Sequence, residues 1–141
     1  VTASSDISVT SATIGAAPGG ELLIDREAWA AAIDASAACA QACVTCADAC
    51  LDVDGGRDLG TCVAVSEVCA ELCRTTAASL SRIGHAAALP LHHLLVACID
   101  ACERCAAECE HHDDLEHCRR CADACRRCAE ACTPILRAVP S

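Results

Sequence analysis

The chain has 141 residues, room for one domain, and 16 of them are Cys. Leu, Ile and Val together supply about a fifth of the residues, Phe, Tyr and Met are absent, and Trp29 is the only aromatic, so a compact interior has to be filled largely by Ala and thiols. A net charge of −10 without aromatic platforms excludes nucleic acid as a partner, and with no uninterrupted apolar run of about 18 residues no membrane span is expected.

Residues 1–20, VTASSDISVTSATIGAAPGG, are rich in Ser, Thr, Ala and Gly and lack helical periodicity. A disordered tail is expected there, with 21–141 forming the folded domain, and no signal-peptide pattern is visible in it. Asp25 is placed to cap a first helix over about 25–52, ended by Asp54-Gly55-Gly56. A second helix is predicted from Asp58 to Ile83, stopped by Gly84. Pro90 suits the N1 position of a third, 89–110. His111-His112-Asp113-Asp114 forms the next turn, with Asp113 or Asp114 capping a fourth helix over 115–132 that Pro134 stops. Ala, Glu, Arg and Leu, all helix formers, fill the positions between. Short connections make neighbours antiparallel, so the expected fold class is all-α: an antiparallel up-down-up-down four-helix bundle with a Cys-lined core.

The thiols fall in four groups: Cys39, Cys43, Cys46 and Cys50; Cys62, Cys69 and Cys73; Cys98, Cys102, Cys105 and Cys109; Cys118, Cys121, Cys125, Cys128 and Cys132. Every spacing within a group is 3, 4 or 7, which places each group along one helix face. Segments 39–50 and 98–109 share C-x3-C-x2-C-x3-C, a repeated unit. Ser66 stands where a fourth Cys would complete the same pattern in the second helix. Arg119, Asp123, Arg126, Arg127 and Glu130 lie off the stripe of the last helix, as a solvated face should.

Thiols as mere packing would explain one or two buried Cys, not sixteen on core positions. A disulfide framework fits poorly within a helix, because Cβ atoms at i,i+3 and i,i+4 are about 5–6 Å apart and a disulfide wants about 3.5–4.5 Å. Metal remains. Thiolates are soft ligands for Cu(I), Zn(II) or iron–sulfur clusters. The tight C-x2-C-x2-C loop of cluster proteins is absent, and the C-x2-C pairs here lie inside helices rather than at zinc knuckles. Charge favours copper over zinc: four Zn²⁺ on sixteen thiolates leave roughly eight buried negative charges, each costing several kcal/mol. Equal numbers of Cu(I) and bridging thiolate are neutral, and a linear S–Cu–S unit of roughly 4–5 Å suits i,i+3 and i,i+4 neighbours.

The segments ACAQACVTCADAC, ACIDACERCAAEC and HCRRCADACRRCAEAC resemble the Cys-lined helices of the bacterial copper storage proteins, over about residues 25–135. The resemblance implies a four-helix bundle whose core takes up many Cu(I) ions per chain through all sixteen Cys and so buffers copper. Lacking Met, the chain is similar to the cytosolic members. That implies a cytoplasmic metal-storage domain and a homo-oligomer, a tetramer, with copper rather than nucleic acid or membrane as partner.

Bundle topology separates two ends. One gathers Trp29, Ile33, Leu80, Ile83, Leu91, Leu95, Ile135 and Leu136; the other gathers Cys50, Asp54, Asp58, Cys62, Cys109, His112, His117 and Cys118. The first reads as an apolar plug and the second as the copper mouth. His112, on the continued Cys stripe, and His117, beside Cys118, are expected mouth ligands, and His111 is a further candidate, since imidazole also binds copper. Asp54 and Asp58 read as helix caps, and His85, His92 and His93 as surface or interface groups at the other end. The reading is of a binding protein, not an enzyme. A uniform thiol array offers no single activated nucleophile. The competing function is a metallothionein-like protein that sequesters zinc or cadmium.

Overall fold

The computed structural model describes residues 8–20, 25–53 and 57–141; the expected Asp54-Gly55-Gly56 turn lies outside them. The Asp25 carboxylate accepts from the Ala28 N–H at 2.9 Å, satisfying a donor that helix geometry leaves free. The helix it starts, α2, runs Arg26–Leu51. α3 spans Gly60–Leu80, a 3₁₀ segment covers Ile83–Ala88, α4 spans Leu91–Glu110 and α5 Glu116–Ala138.

These four long helices form a ring in which α2 and α4 each pack against both α3 and α5. Sulfur pairings give the directions. Between α2 and α5, Cys39 meets Cys125 at 3.6 Å, Cys43 meets Cys121 at 3.7 Å and Cys50 meets Cys118 at 3.9 Å. Between α3 and α4, Cys62 meets Cys109, Cys69 meets Cys102 and Cys73 meets Cys98, at 3.7, 3.8 and 3.8 Å. Numbers rise on one helix as they fall on its partner, so each pair is antiparallel. The diagonal pair α2 and α4 runs parallel, Cys39 to Cys102 and Cys46 to Cys109.

One end of the bundle is closed by aliphatic packing. Leu80, Leu91, Leu95 and Ile135 are buried there, and the Trp29 indole N–H donates to the Leu80 carbonyl at 2.7 Å. That bond lets the one aromatic bury its polar atom at no net loss. Beyond it, toward the other end, the core is sulfur.

The structure departs from the sequence reading in four places. The expected disordered tail contains a helix, α1, over Val9–Ala16; residues 1–7 lie outside the described set. Ser8 caps α1 through the Ser11 N–H at 3.0 Å, the Ser11 hydroxyl donates to Glu27 at 2.8 Å, Thr10 bonds Asp34, and Ile14 is buried. A helix this short is marginal alone, and these contacts with α2 hold it. α3 ends at Leu80 rather than Ile83, where the Ser81 hydroxyl bonds the Ala77 carbonyl at 2.7 Å. α5 passes through Pro134 to Ala138, because Pro134 faces solvent while buried Cys132 and Ile135 hold the last turn in the core. Neither Asp113 nor Asp114 caps α5: Leu115 occupies that position without a side-chain bond, and Asp114 pairs with Arg57 instead.

By length and composition alone α2 is apolar enough to cross a bilayer, although it holds no uninterrupted apolar run of that length. That apolarity is Ala and Cys, and Cys39, Cys43, Cys46 and Cys50 are buried against the other helices.

Candidate metal centre

Helical periodicity turns each Cys group inward, and the antiparallel packing interleaves the stripes. All sixteen Cys are buried and all are free thiols. Their sulfurs approach one another at 3.6–4.0 Å, both within a helix, as Cys69 and Cys73 at 3.8 Å, and between helices, as Cys73 and Cys102 at 3.6 Å. Quartets recur along the axis. Cys46, Cys50, Cys62 and Cys118 form one; Cys43, Cys105, Cys121 and Cys125 another; Cys73, Cys98, Cys102 and Cys128 a third, each with sulfurs within 4.8 Å of one another. These separations are van der Waals contacts, too long for S–S bonds of about 2.05 Å and suited to a soft ion bridging two sulfurs.

Two hydroxyls stand among the sulfurs. Ser66, whose place in the stripe the sequence marked, is fully buried with its Oγ 3.5 Å from Cys105. Ser36 is also fully buried, 3.6 Å from Cys128 and 3.5 Å from Cys132. The sequence reading missed Ser36, although a spacing of three from Cys39 puts it on the α2 stripe.

The three candidate histidines separate. His117 reaches the sulfurs: its Nε2 is 3.3 Å from Cys50. His112 lies beside the opening with its Nε2 3.0 Å from Glu108 and its Nδ1 3.4 Å from Arg57. His111 is brought to no sulfur; its side chain is 74% exposed and 4.0 Å from Glu108. Arg57 and Glu108, both overlooked in the sequence, frame this end. The Arg57 guanidinium grips Asp114 with bonds of 2.6 and 3.1 Å, tying the start of α3 to the α4–α5 turn. Asp58 accepts from the Gly60 N–H at 3.1 Å, but the cap position of α3 is held by Leu59 without a side-chain bond.

Burial governs thiol ionisation at the opening. It pushes Cys118 up to about 12, helped by charge on Cys50 and Cys62, and raises Cys62 for the same first reason. Deeper in, an S–H donated by Cys102 holds Cys98 down at about 5. Thiols packed this closely cannot all ionise together without cations between them.

Residues 25–137 match the family model for copper storage proteins. The chain belongs to the copper storage protein family. The solved structure of Ccsp from Streptomyces lividans, loaded with 10 copper equivalents, is similar at a TM-score of 0.86 and 39% identity, covering 93% of this chain and all of that one. A second structure, the cytosolic copper storage protein of Streptomyces lividans with five coppers, matches at 0.76 and 44% identity over 83% of this chain and 98% of that one. A histidine-to-alanine variant of Ccsp matches at 0.73 and 41% identity, over 81% and 96% of the two chains. No curated protein matches the sequence. The sulfur-lined interior is thus what the family membership leads one to expect, and the residues build it by their spacing.

Proposed function

We propose that this chain stores Cu(I) inside the bundle, using all sixteen Cys as bridging thiolates with His117 as the first ligand at the mouth. The observation that carries the reading is the column of sixteen buried free thiols in mutual contact. Soft sulfur selects a soft monovalent ion, and one Cu(I) per thiolate leaves the interior neutral. The Streptomyces lividans relatives, described as loaded with ten and five coppers, support the same cargo. Loading proceeds by ligand exchange. A thiol loses its proton as its sulfur binds copper, and the ion passes between sulfurs 3.6–4.0 Å apart without change of oxidation state. No step calls for catalytic turnover. The free thiols suit a reducing compartment, so the store works in the cytoplasm, as the relative described as cytosolic does. His112 and His111 serve as accessory groups outside the mouth, and a homotetramer is the proposed assembly.

An anaerobic titration of the reduced chain with Cu(I) against a calibrated competitor tests this. Saturation near one copper per thiol is expected. Saturation at one or two ions per chain, or preferential uptake of about one Zn²⁺ per four thiols, overturns it.

A further inference from the structure

The sulfur lining is broken once along α3. Cys62 and Cys69 are seven residues apart, about 10.5 Å along the helix axis, and between them stands Ser66. Its hydroxyl has nearly the size of a thiol, so the core stays filled and Ser66 is fully buried. An oxygen, however, is a poor ligand for Cu(I). At this level α3 offers copper nothing to hold.

The sulfur quartets change membership at the same level. Cys46, Cys50, Cys62 and Cys118, with His117 against Cys50, share no member with the quartet of Cys43, Cys105, Cys121 and Cys125. That second quartet shares Cys43 and Cys125 with the group Cys39, Cys43, Cys69 and Cys125, which in turn shares Cys39 and Cys69 with Cys39, Cys69, Cys73 and Cys102. The inner groups overlap into a continuous column, and the outer one is joined to it through Cys109 of α4, 3.7 Å from Cys62 and 4.0 Å from Cys46, with no thiol of α3 between Cys62 and Cys69. Ser66 lies between Cys62 of the outer quartet and Cys69 of the inner column, with its Oγ on Cys105, a member of the first inner quartet.

We propose that Ser66, by withholding the α3 thiol at this level, narrows the passage between the thiols at the mouth and those of the deep column and so sets the rate at which copper crosses it. The inference rests on the copper-storage reading. Copper moves when an incoming thiol binds it and gives up its proton, while the sulfur left behind takes a proton as its Cu–S bond breaks; copper stays Cu(I) throughout. Each hop needs a second sulfur within bonding reach of the ion before the first lets go. At the level of Ser66 only α2, α4 and α5 supply one. Ser66 also donates its O–H toward Cys105 when that sulfur is a thiolate, which weakens Cys105 as a donor at the point of crossing.

The test loads the full chain anaerobically with Cu(I) and follows removal by an excess of a chromogenic Cu(I) chelator. The wild-type chain should release copper in two phases, a minor fast one from the mouth and a slower one from the column. Ser66→Cys should raise capacity and speed the slow phase roughly tenfold, the factor that about 1.4 kcal/mol off a barrier gives. Ser66→Ala, which keeps the gap, should remain biphasic. Ser36→Cys is the control: it adds a thiol beside Cys128 and Cys132, deep in the column, and should raise capacity while leaving the slow phase unchanged. A single phase in the wild type, an unchanged slow phase in Ser66→Cys, or equal acceleration by Ser36→Cys overturns the proposal. A chain that takes up only one or two Cu(I) overturns the storage reading instead, and that shows in capacity rather than in rate.

Discussion

The His117 Nε2 lies 3.3 Å from the Cys50 sulfur, so an imidazole on α5 joins the outermost thiol of α2. The contact gives an arriving Cu(I) one nitrogen and one sulfur at the edge of the array. His117→Phe should slow loading several-fold while lowering total capacity by no more than about one ion. Stopped-flow loading at fixed chelator measures the rate, and a titration measures the capacity. An unchanged rate would remove His117 from the path.

Cys102 touches Cys39, Cys69 and Cys73 at 3.9, 3.8 and 3.6 Å, making it a shared member of the column. Cys102→Ser should lower capacity by about one or two coppers, since oxygen does not replace a bridging sulfur. The copper-free fold should barely notice, because Ser36 and Ser66 already show that a hydroxyl is satisfied among these sulfurs. Thermal unfolding of the copper-free variant and its titration together check both halves.

The thiols at the mouth set a pH dependence with a definite sign. Burial raises Cys118 from an ordinary 9.0 to about 12 and raises Cys62 as well, so the folded state favours their protonated forms. Their contribution to stability is complete below pH 9 and is lost as pH rises toward 12. Copper replaces those protons, so loading releases protons and tightens as pH rises. The urea midpoint of the copper-free chain should fall between pH 9 and 12, while that of the loaded chain should not follow it.

Trp29 reports on the closed end alone. Trp29→Phe removes the 2.7 Å bond to the Leu80 carbonyl and leaves a buried acceptor unpaired, at a cost of about 1–3 kcal/mol. The denaturation midpoint should drop accordingly with copper capacity unchanged. A loss of capacity would show that the apolar end shapes the sulfur column.

The Cys spacings of 3, 4 and 7 and the turn residues between groups were enough, from sequence, to place four helices and turn their thiols inward, because helix periodicity is a local property of the chain. Asp25 as a cap and Ser66 as a gap in the stripe were legible for the same reason. What spacing could not supply was how the stripes meet. That Cys39 faces Cys125 and Cys62 faces Cys109 depends on the register of packed helices. Likewise His117 reaches sulfur while His111, six residues earlier, does not, because the α4–α5 turn decides which side chain the bundle takes in. α1 forms because Ser11 and Ile14 find partners on the bundle, and α5 passes Pro134 because Ile135 is buried beyond it. In both, packing supplied free energy that no local pattern of residues carries.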